Sequence, residues 1–216
     1  MADAKLKILC VHGYRQSDKI FAEKTGALRK GLKKLATFTY FTAPHQVLQD
    51  SDGNDCNDDG QFGWWFSKDN RTYSALHVAD IDLGYHESLQ AFRKFCLDTG
   101  PYDGVLGFSQ GACMVSIICT LQQRQILDLP FNFKFAIIMA GFKSLLSPHL
   151  QFFTDQIVLP SLHVFGKADR VIPIELSQEL AKNFKDPTLI IHEGGHFVPA
   201  AAPQRKAYME FLQKFI

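Results

Sequence analysis

Short apolar runs alternate with longer segments in which apolar residues recur every three or four positions along the 216-residue chain. A short apolar run bounded by turn residues is typical of a buried strand, and the longer period is typical of a helix with one buried face. Strands that alternate with helices favour βαβ units. The pattern therefore predicts an α/β fold, in which a mostly parallel sheet carries helices on both faces.

The same pattern predicts about six strands and about six helices. The strands are expected at residues 6–11, 38–42, 104–108, 135–140, 162–165 and 189–192. The clearest helices are expected at residues 17–35, 85–97, 112–123, 174–184 and 205–215. A chain of this length suits one domain, so residues 1–216 are expected to form a single α/β domain.

One segment, residues 49–63, breaks this alternation. It carries five aspartates and three glycines, and we expect a solvated loop insertion there. Asp55, Asn57 and Asp59 match the first half of a calcium-binding EF-hand loop. Phe66 stands where that loop would need a bidentate glutamate, and no predicted helix flanks the segment. The sequence therefore predicts no metal site.

Composition and charge argue against several classes of protein. The apolar fraction of 46% and the charged fraction of 21% are those of an ordinary globular chain. The net charge is +1, and the densest basic cluster lies at helical spacing in residues 29–34, which does not favour a nucleic-acid binder. Five cysteines without a CxxC pair favour neither a disulfide framework nor a zinc site.

The sequence shows no segment expected to target or span a membrane. It contains no run of about 18 apolar residues, so no transmembrane segment is predicted. No apolar stretch near the N-terminus stands apart from folded structure, as the core of a signal peptide would. These features predict a cytosolic protein and leave a nuclear location open.

The strongest chemical signal is the string Gly107-Phe108-Ser109-Gln110-Gly111. It lies where a predicted apolar strand ends and a predicted apolar helix begins, which is the setting of a nucleophile elbow. The turn is tight, so the residues that flank the serine must be small. The serine hydroxyl then projects above the sheet at a helix N-terminus, where developing negative charge is favoured. Ser109 is therefore the candidate nucleophile.

A serine hydroxyl needs a base to accept its proton. His196 stands in a glycine-rich loop just after the last predicted strand, and from there it can reach the elbow. His192 is the nearest rival, but it ends a strand and is expected to pack in the interior. His196 is therefore the candidate base.

The acid that orients this base is expected between the serine and the histidine in chain order. Asp169 follows the predicted strand 162–165 and lies in that interval. In the competing interpretation, Asp169 is a turn residue that caps the helix that begins after Pro173. Asp155 is an alternative acid, but no clear strand leads into it.

Two backbone amides are expected to form an oxyanion hole. The first strand ends in Val11-His12-Gly13-Tyr14, so the amide of Tyr14 can supply one half, and the amide of Gln110 can supply the other. His12 is a base by residue type alone. We interpret it as structural, because it precedes the glycine that lets the loop approach the site.

Together these motifs resemble the FSH family of small serine hydrolases. The resemblance is carried by the segments HGYRQS at 12–17, EKTGALRK at 23–30, APH at 43–45, GWWF at 63–66, GFSQGA at 107–112, HVFG at 163–166 and GGHF at 194–197. It spans nearly the whole chain and departs from the family pattern in the Asp-rich segment 49–61.

The resemblance implies an α/β-hydrolase fold without a large cap domain. It also implies Ser109, Asp169 and His196 as a catalytic triad, and hydrolysis of a small-molecule carboxylic ester through an acyl-enzyme. Such a reaction needs no metal or organic cofactor. The oligomeric state is not indicated.

Aromatic residues beside the motifs are candidates for an acyl-binding pocket, because such pockets are lined mainly by apolar and aromatic side chains. The run 64–66 stands out, since it follows a predicted loop where core packing is less expected. Unbranched acyl chains of medium to long length are therefore the expected substrates. Core packing is the competing interpretation for any single phenylalanine. The candidates are Trp64, Trp65, Phe66, Phe108, Phe142 and Phe197.

Three other functions stay open on the sequence. An acyl-protein or acyl-carrier thioesterase would use the same catalytic residues, and GFSQG is also similar to the elbow of acyl-protein thioesterases. A peptidase is disfavoured, since no charged specificity pocket can be inferred. A non-catalytic binding module is disfavoured by the complete order of serine, acid and histidine.

Overall fold

A computed structural model describes residues 5–48 and 60–216 of the chain. Its centre is a six-stranded sheet with every neighbouring pair of strands parallel. A two-stranded antiparallel sheet lies beside it. The strands are β1 Leu6–Val11, β2 Ala36–Phe41, β3 His45–Gln46, β4 Phe62–Gly63, β5 Gly104–Phe108, β6 Phe135–Met139, β7 Ser161–Gly166 and β8 Thr188–His192.

Helices cover both faces of the large sheet. They are α1 Asp18–Lys24, α2 Gly26–Leu32, α3 Tyr85–Thr99, α4 Gln110–Gln123, α5 Ile174–Ala181 and α6 Ala202–Leu212, with 3-10 helices at Ser147–Phe153 and Gln213–Phe215. The predicted α/β-hydrolase class is confirmed. The residues that the structure describes form no separate cap domain.

Two apolar cores sandwich the sheet, because successive residues of a strand point to opposite faces. In β1, Leu9 and Val11 join the core beneath α3, α4 and α5, while Ile8 and Cys10 join the core beneath α1, α2 and α6. Every residue of β5, β6 and β7 is buried. Continuous burial of this kind explains why the sequence shows apolar runs rather than alternation at these strands.

The strand order creates a crevice between β1 and β5. The large sheet runs β2-β1-β5-β6-β7-β8, so the chain moves outward from β1 to β2 and then crosses back to β5 on the other side of β1. A reversal of this kind opens a crevice at the carboxyl ends of the two adjacent strands, where open α/β sheets bind ligands. The carboxyl end of β5 is the position of Ser109.

Two backbone contacts bring α4 close to these strands. A Cβ added to Gly111, at the start of α4, would lie 2.3 Å from the carbonyl oxygens of Val11 and His12. A Cβ added to Gly107 would lie 2.4 Å from the Gly111 carbonyl oxygen. Both neighbours are main-chain atoms that cannot move aside. The expectation that small residues must flank Ser109 therefore follows from backbone packing.

The predicted single helix at 17–35 is wrong. Two short helices, α1 and α2, meet at Thr25, whose φ of −95° and ψ of 5° leave the helical region. The Thr25 hydroxyl donates to the carbonyl of Phe21 at 2.7 Å. A side chain that bonds the backbone in this way competes with helix continuation, and Gly26 follows it directly.

The small sheet and the 3-10 helix Ser147–Phe153 were not predicted. Strands β3 and β4 have two residues each, which is too short for any period to show. They lie on either side of residues 49–59. Those residues, with Asp55, Asn57 and Asp59 of the partial EF-hand match, lie outside the described residues. Of the predicted loop insertion 49–63, the structure describes residues 60–63, and the prediction is wrong for Phe62 and Gly63, which form β4 and pair with β3.

Within residues 5–48 and 60–216, no helix combines the length and apolarity needed to cross a membrane. In the same two ranges, no three histidine, cysteine, aspartate or glutamate side chains are grouped as metal ligands.

Replacing Gly111 with alanine should destabilise the protein by several kcal/mol or prevent folding, because the methyl group meets two fixed carbonyl oxygens. Gly26 is the matched control, since a Cβ there meets nothing within 4 Å. Its replacement by alanine should change the free energy of unfolding by less than about 1 kcal/mol. Urea titrations of both variants measure the difference, and equal stability for the two would contradict the packing argument.

Candidate active site

Ser109 occupies the turn between β5 and α4 with a strained backbone. Its φ is 55° and its ψ is −119°, outside the regions that non-glycine residues favour. The turn is held on both sides. The Ser109 amide donates to the carbonyl of Met139 at 2.9 Å, and its carbonyl accepts from the amides of Ala112 and Cys113. The predicted strand–turn–helix setting of the serine is therefore present.

Backbone pairing beyond the last two strands brings the candidate acid and base together. Past the ends of β7 and β8, the Lys167 amide donates to the His192 carbonyl at 2.8 Å, and the Ala168 amide donates to the Gly194 carbonyl at 3.1 Å. The two loops therefore run side by side. Asp169 is the next residue on one loop, and His196 follows on the other.

His196 and Asp169 are hydrogen-bonded directly. His196 Nδ1 lies 2.7 Å from Asp169 Oδ2, and the Asp169 side chain is almost fully buried. The other carboxylate oxygen accepts from the amides of Val171 at 2.8 Å and Ile172 at 2.9 Å. These bonds fix the carboxylate and turn Nε2 of the imidazole away from it.

A cleft of about 350 Å³ contains both Ser109 and His196. The imidazole packs on the ring of Phe108, with centroids 4.7 Å apart, and its side chain is about one-fifth exposed. No hydrogen bond joins the Ser109 hydroxyl to another described side chain. Such contacts often tighten only when substrate binds. A substrate in this cleft would therefore meet both side chains.

The loop after β1 passes close to the elbow. A Cβ on Gly13 would lie 3.3 Å from Cβ of Ser109 and 3.0 Å from the Phe108 ring, so only a glycine fits without displacement. Gly13 and Tyr14 line the cleft beside Ser109. Gln110 is the first residue of α4, where amide groups have no partner within the helix. The amides of Tyr14 and Gln110 remain predictions for the oxyanion hole.

The carboxamide of Gln110 forms hydrogen bonds that join the elbow to the backbone at residues 64–65. Its Oε1 accepts from the Trp64 amide at 3.0 Å, and its Nε2 donates to the Trp65 carbonyl at 2.8 Å. The indole N–H of Trp64 donates to the His12 carbonyl at 2.7 Å. These polar atoms are buried, so leaving any one unpaired would cost about 1–3 kcal/mol.

The expectation that Trp64, Trp65 and Phe66 line an acyl pocket is corrected by their burial. All three side chains are fully buried, and none of them lines the cleft. They pack behind it because the backbone at 64–65 is fixed by Gln110. The run follows a loop in sequence, yet its side chains do not face solvent. Phe142 is also a core residue and does not reach the cleft.

The two remaining aromatic candidates differ. Phe108 lines the cleft, and its ring packs on the imidazole of His196. Phe197 is about half exposed and packs on His192, with centroids 5.2 Å apart, and it does not line the cleft. Phe108 is therefore the one residue of the predicted aromatic set that the structure places at the site.

Sequence reasoning missed one wall of the cleft. Tyr73, Ser74, Ala75 and Leu76 form it, and Val171 contributes next to the Asp169 loop. Leu76 and Val171 are about half exposed. Residues 73–76 carry no helix or strand, so no periodicity could have shown them. Burial raises the pKa of Tyr73 well above its ordinary value, which keeps its phenol protonated.

The rival base and the rival acid lie in other environments. His12 is fully buried; its Nδ1 is 2.7 Å from the Gly13 carbonyl, and its Nε2 accepts from the Ala43 amide at 2.9 Å. Desolvation lowers the pKa of His12 to about 4, so it is neutral at pH 7. Both nitrogens are occupied, which makes it a scaffold residue. Asp155 pairs with Arg124 at 2.6 Å on the surface.

Comparison with known sequences places the chain among serine hydrolases. The sequence model of the family described as serine hydrolase (FSH1) matches residues 1–208. The Danio rerio protein named Esterase OVCA2 is 44% identical over 227 residues, a match that covers 100% of this chain and 100% of that relative.

Solved structures give the same fold. The crystal structure of esterase PE8 has a TM-score of 0.66 at 21% identity and covers 99% of this chain and 94% of its own. The crystal structure of Zea mays acyl-protein thioesterase 2 has a TM-score of 0.63 at 17% identity and covers 96% and 94%. At these sequence identities, the similarity shows that the fold is shared.

The buried histidines predict acid-sensitive stability. Desolvation lowers the pKa of His12 to about 4 and that of His163 to about 3, against 6.5 in an unfolded chain. Below pH 6.5 the unfolded state therefore binds more protons than the folded state. The free energy of unfolding should fall by about 1.4 kcal/mol per pH unit for each histidine as the pH drops from 6.5 towards 4.

Urea titrations at several pH values measure this slope in the wild type and in His12→Gln. In His12→Gln, the slope of the free energy of unfolding against pH should be smaller by about 1.4 kcal/mol per pH unit, which corresponds to one proton. His163→Gln should reduce the slope by a similar amount, although His163 does not line the cleft. An unchanged slope in His12→Gln would show that His12 is not buried in its neutral form.

Proposed function

The chain belongs to the FSH1 family of serine hydrolases, and on that premise we propose that it hydrolyses carboxylic esters with Ser109, His196 and Asp169 as its catalytic triad. The observation that carries the proposal is the 2.7 Å bond between His196 Nδ1 and a buried Asp169 carboxylate, at a cleft that both His196 and Ser109 line. The full-length relative named as an esterase supports an ester as the substrate.

Each residue has one role in the first half of the reaction. The Ser109 oxygen bonds to the carbonyl carbon of the ester, and His196 Nε2 accepts the hydroxyl proton. Asp169 holds the imidazole in the orientation that presents Nε2, and its negative charge stabilises the imidazolium. The amides of Tyr14 and Gln110 donate to the carbonyl oxygen as it becomes negative.

The intermediate then collapses in two stages. The bond from the carbonyl carbon to the alkoxy oxygen breaks, and His196 returns its proton to the departing alcohol. The acyl group stays on Ser109. A water molecule next attacks the acyl carbon while His196 accepts a proton from it, and the acid leaves as Ser109 regains its hydrogen.

Ser109→Ala should abolish both ester hydrolysis and labelling by a fluorophosphonate probe, with the melting temperature little changed. Ser74→Ala is the matched control, because Ser74 is a second serine that lines the cleft. It should retain labelling and turnover. Fluorescent gel detection of the probe and hydrolysis of a chromogenic ester measure the two outcomes. Labelling that survives in Ser109→Ala would refute the assignment.

We further propose a preference for unbranched acyl chains of medium to long length. The side chains of Ala75, Leu76, Phe108 and Val171 make much of the cleft apolar. Leu76 and Val171 extend this surface to the opening, where they are about half exposed. A chain longer than acetyl would cover them, and each buried CH₂ group contributes about 0.8 kcal/mol. This support comes from the wall at 73–76 rather than from the aromatic run at 64–66.

The value of kcat/KM should rise from acetate to esters of about eight carbons. Leu76→Gln should lower it for the long esters and leave acetate nearly unchanged, because the amide removes apolar surface only where a long chain lies. Leu97→Gln is the control, since Leu97 is similarly exposed on α3 and does not line the cleft. A series of p-nitrophenyl esters measures the profile, and a flat or falling wild-type profile would contradict the preference.

A thioester would be cleaved by the same residues and the same steps. The ester is favoured here by the name of the relative and not by a contact in the cleft. Matched oxygen and sulfur esters of one acyl chain distinguish the two substrates. A kcat/KM much higher for the sulfur ester would reassign the enzyme as a thioesterase and leave the triad in place.

A further inference from the structure

A second serine, histidine and aspartate are joined by hydrogen bonds away from Ser109. His149 Nδ1 lies 2.9 Å from Ser144 Oγ, and His149 Nε2 lies 3.1 Å from Asp82 Oδ2. His149 is fully buried, and Ser144 is 3% exposed. Asp82 is the outermost member, with 29% of its side chain exposed.

The donors and acceptors of this group are matched. With the imidazole neutral, Nε2–H donates to the carboxylate and Nδ1 accepts from the Ser144 hydroxyl. The Ser144 oxygen in turn accepts from the Leu146 amide at 3.3 Å. Because Ser144 is buried and does not line the cleft, no ester can reach its hydroxyl. The group is therefore not a second hydrolytic site.

The group joins two separate parts of the chain. Asp82 ends the segment 67–82, called here the wall segment, which includes the cleft wall at 73–76. Ser144 and His149 belong to the connection that follows β6. Two further bonds tie the same parts: the Ser147 amide donates to the Ala79 carbonyl at 2.9 Å, and the Ser147 hydroxyl donates to Asp80 at 2.7 Å.

Ring contacts continue from His149 to the cleft. The His149 ring meets Trp65 edge to face, with centroids 5.0 Å apart and planes at 89°. Trp65 meets Tyr73 in the same manner, at 6.2 Å and 86°. Tyr73 packs against Tyr14 at 5.1 Å, and both line the cleft next to Ser109. A shift of His149 would therefore reach Tyr73 through one intervening ring.

Among the described residues, few hydrogen bonds join the wall segment to the rest of the protein. The Tyr73 hydroxyl and the indole N–H of Trp65 are buried without a hydrogen-bond partner among the described residues. Aromatic packing therefore holds the inner side of the wall. The directional bonds that fix its far end are those to Ser147 and His149.

We propose that His149, held by Asp82 and Ser144, is a positioning residue that fixes the wall segment against Ser109 and so sets the width of the acyl-binding cleft. The specificity part of this proposal rests on the proposed preference for longer acyl chains. Its structural part does not, because it concerns only where the wall lies.

Two variants test the proposal. Asp82→Ala removes the partly exposed partner and should leave the fold intact, while His149→Gln alters the buried residue itself. In each, amide hydrogen exchange over residues 71–79 should become about tenfold faster, the factor expected for the loss of one hydrogen bond to a charged group. KM for the preferred long ester should rise about fivefold or more, and kcat should change by less than about twofold.

Matched controls separate positioning from a general loss of stability. Asp155→Ala removes an exposed aspartate that pairs with Arg124. His163→Gln removes a buried histidine that bonds Ser161 within β7. Neither should accelerate exchange over 71–79 or alter the ratio of long-ester to acetate KM. If His149→Gln does not fold, Asp82→Ala alone decides the result.

The outcomes distinguish this proposal from the proposed function. Unchanged exchange over 71–79 in Asp82→Ala would overturn the positioning role, whatever ester the enzyme prefers. Faster exchange with an unchanged KM would show that the wall does not bind the acyl chain, and would overturn the link to specificity. If kcat/KM of the wild type does not change with acyl-chain length, the proposed acyl preference is refuted. The positioning role is then decided by hydrogen exchange over residues 71–79 alone.

Discussion

The contact between the first turn of α4 and the end of β1 sets the geometry on which the site depends. Gly111 lies so close to the carbonyls of Val11 and His12 that no side chain fits between them. The helix begins immediately after β5, and the chain makes that turn with a positive φ at Ser109. The strain is local, and buried packing on both faces of the sheet offsets it. The serine is the residue left at the tip of the turn.

The other parts of the site are arranged around this turn by backbone pairing. Loops that continue beyond β7 and β8 pair with each other and bring Asp169 to His196. The carboxamide of Gln110 ties the elbow to the backbone at 64–65, and His12, neutral and fully bonded, supports both. Hydrogen-bonded backbone thus holds the polar groups, while the less regular wall at 73–76 supplies apolar surface. The proposed chemistry therefore rests on the polar groups, and the proposed acyl preference rests on this wall.

The sequence predicted the parts of this structure that obey local rules. Buried strands produce apolar runs, so the six strands of the large sheet were found with bounds within about two residues. The glycines around Ser109 indicated that the start of α4 lies close to the backbone of the neighbouring strands. Asp169 and His196 could be chosen because loops at the carboxyl ends of parallel strands meet at one edge of a sheet.

Other features depend on tertiary contacts that no local pattern records. The aromatic run 64–66 follows a loop in sequence, yet Gln110, 45 or so positions away, draws it into the core. The wall at 73–76 has no periodicity and becomes visible only where it faces Ser109. Thr25 interrupts a helix through a single hydroxyl bond, which the apolar spacing of residues 17–35 conceals.

A crystal structure of the protein after reaction with a fluorophosphonate tests the central claim most directly, because it traps a tetrahedral centre on the nucleophile. The geometry of the elbow predicts a phosphorus atom bonded to Ser109 Oγ. It also predicts a phosphoryl oxygen about 3 Å from the amide nitrogens of Tyr14 and Gln110, with the His196–Asp169 bond retained. A phosphoryl oxygen that contacts neither amide, or a phosphorus atom bonded to another residue, would contradict the account.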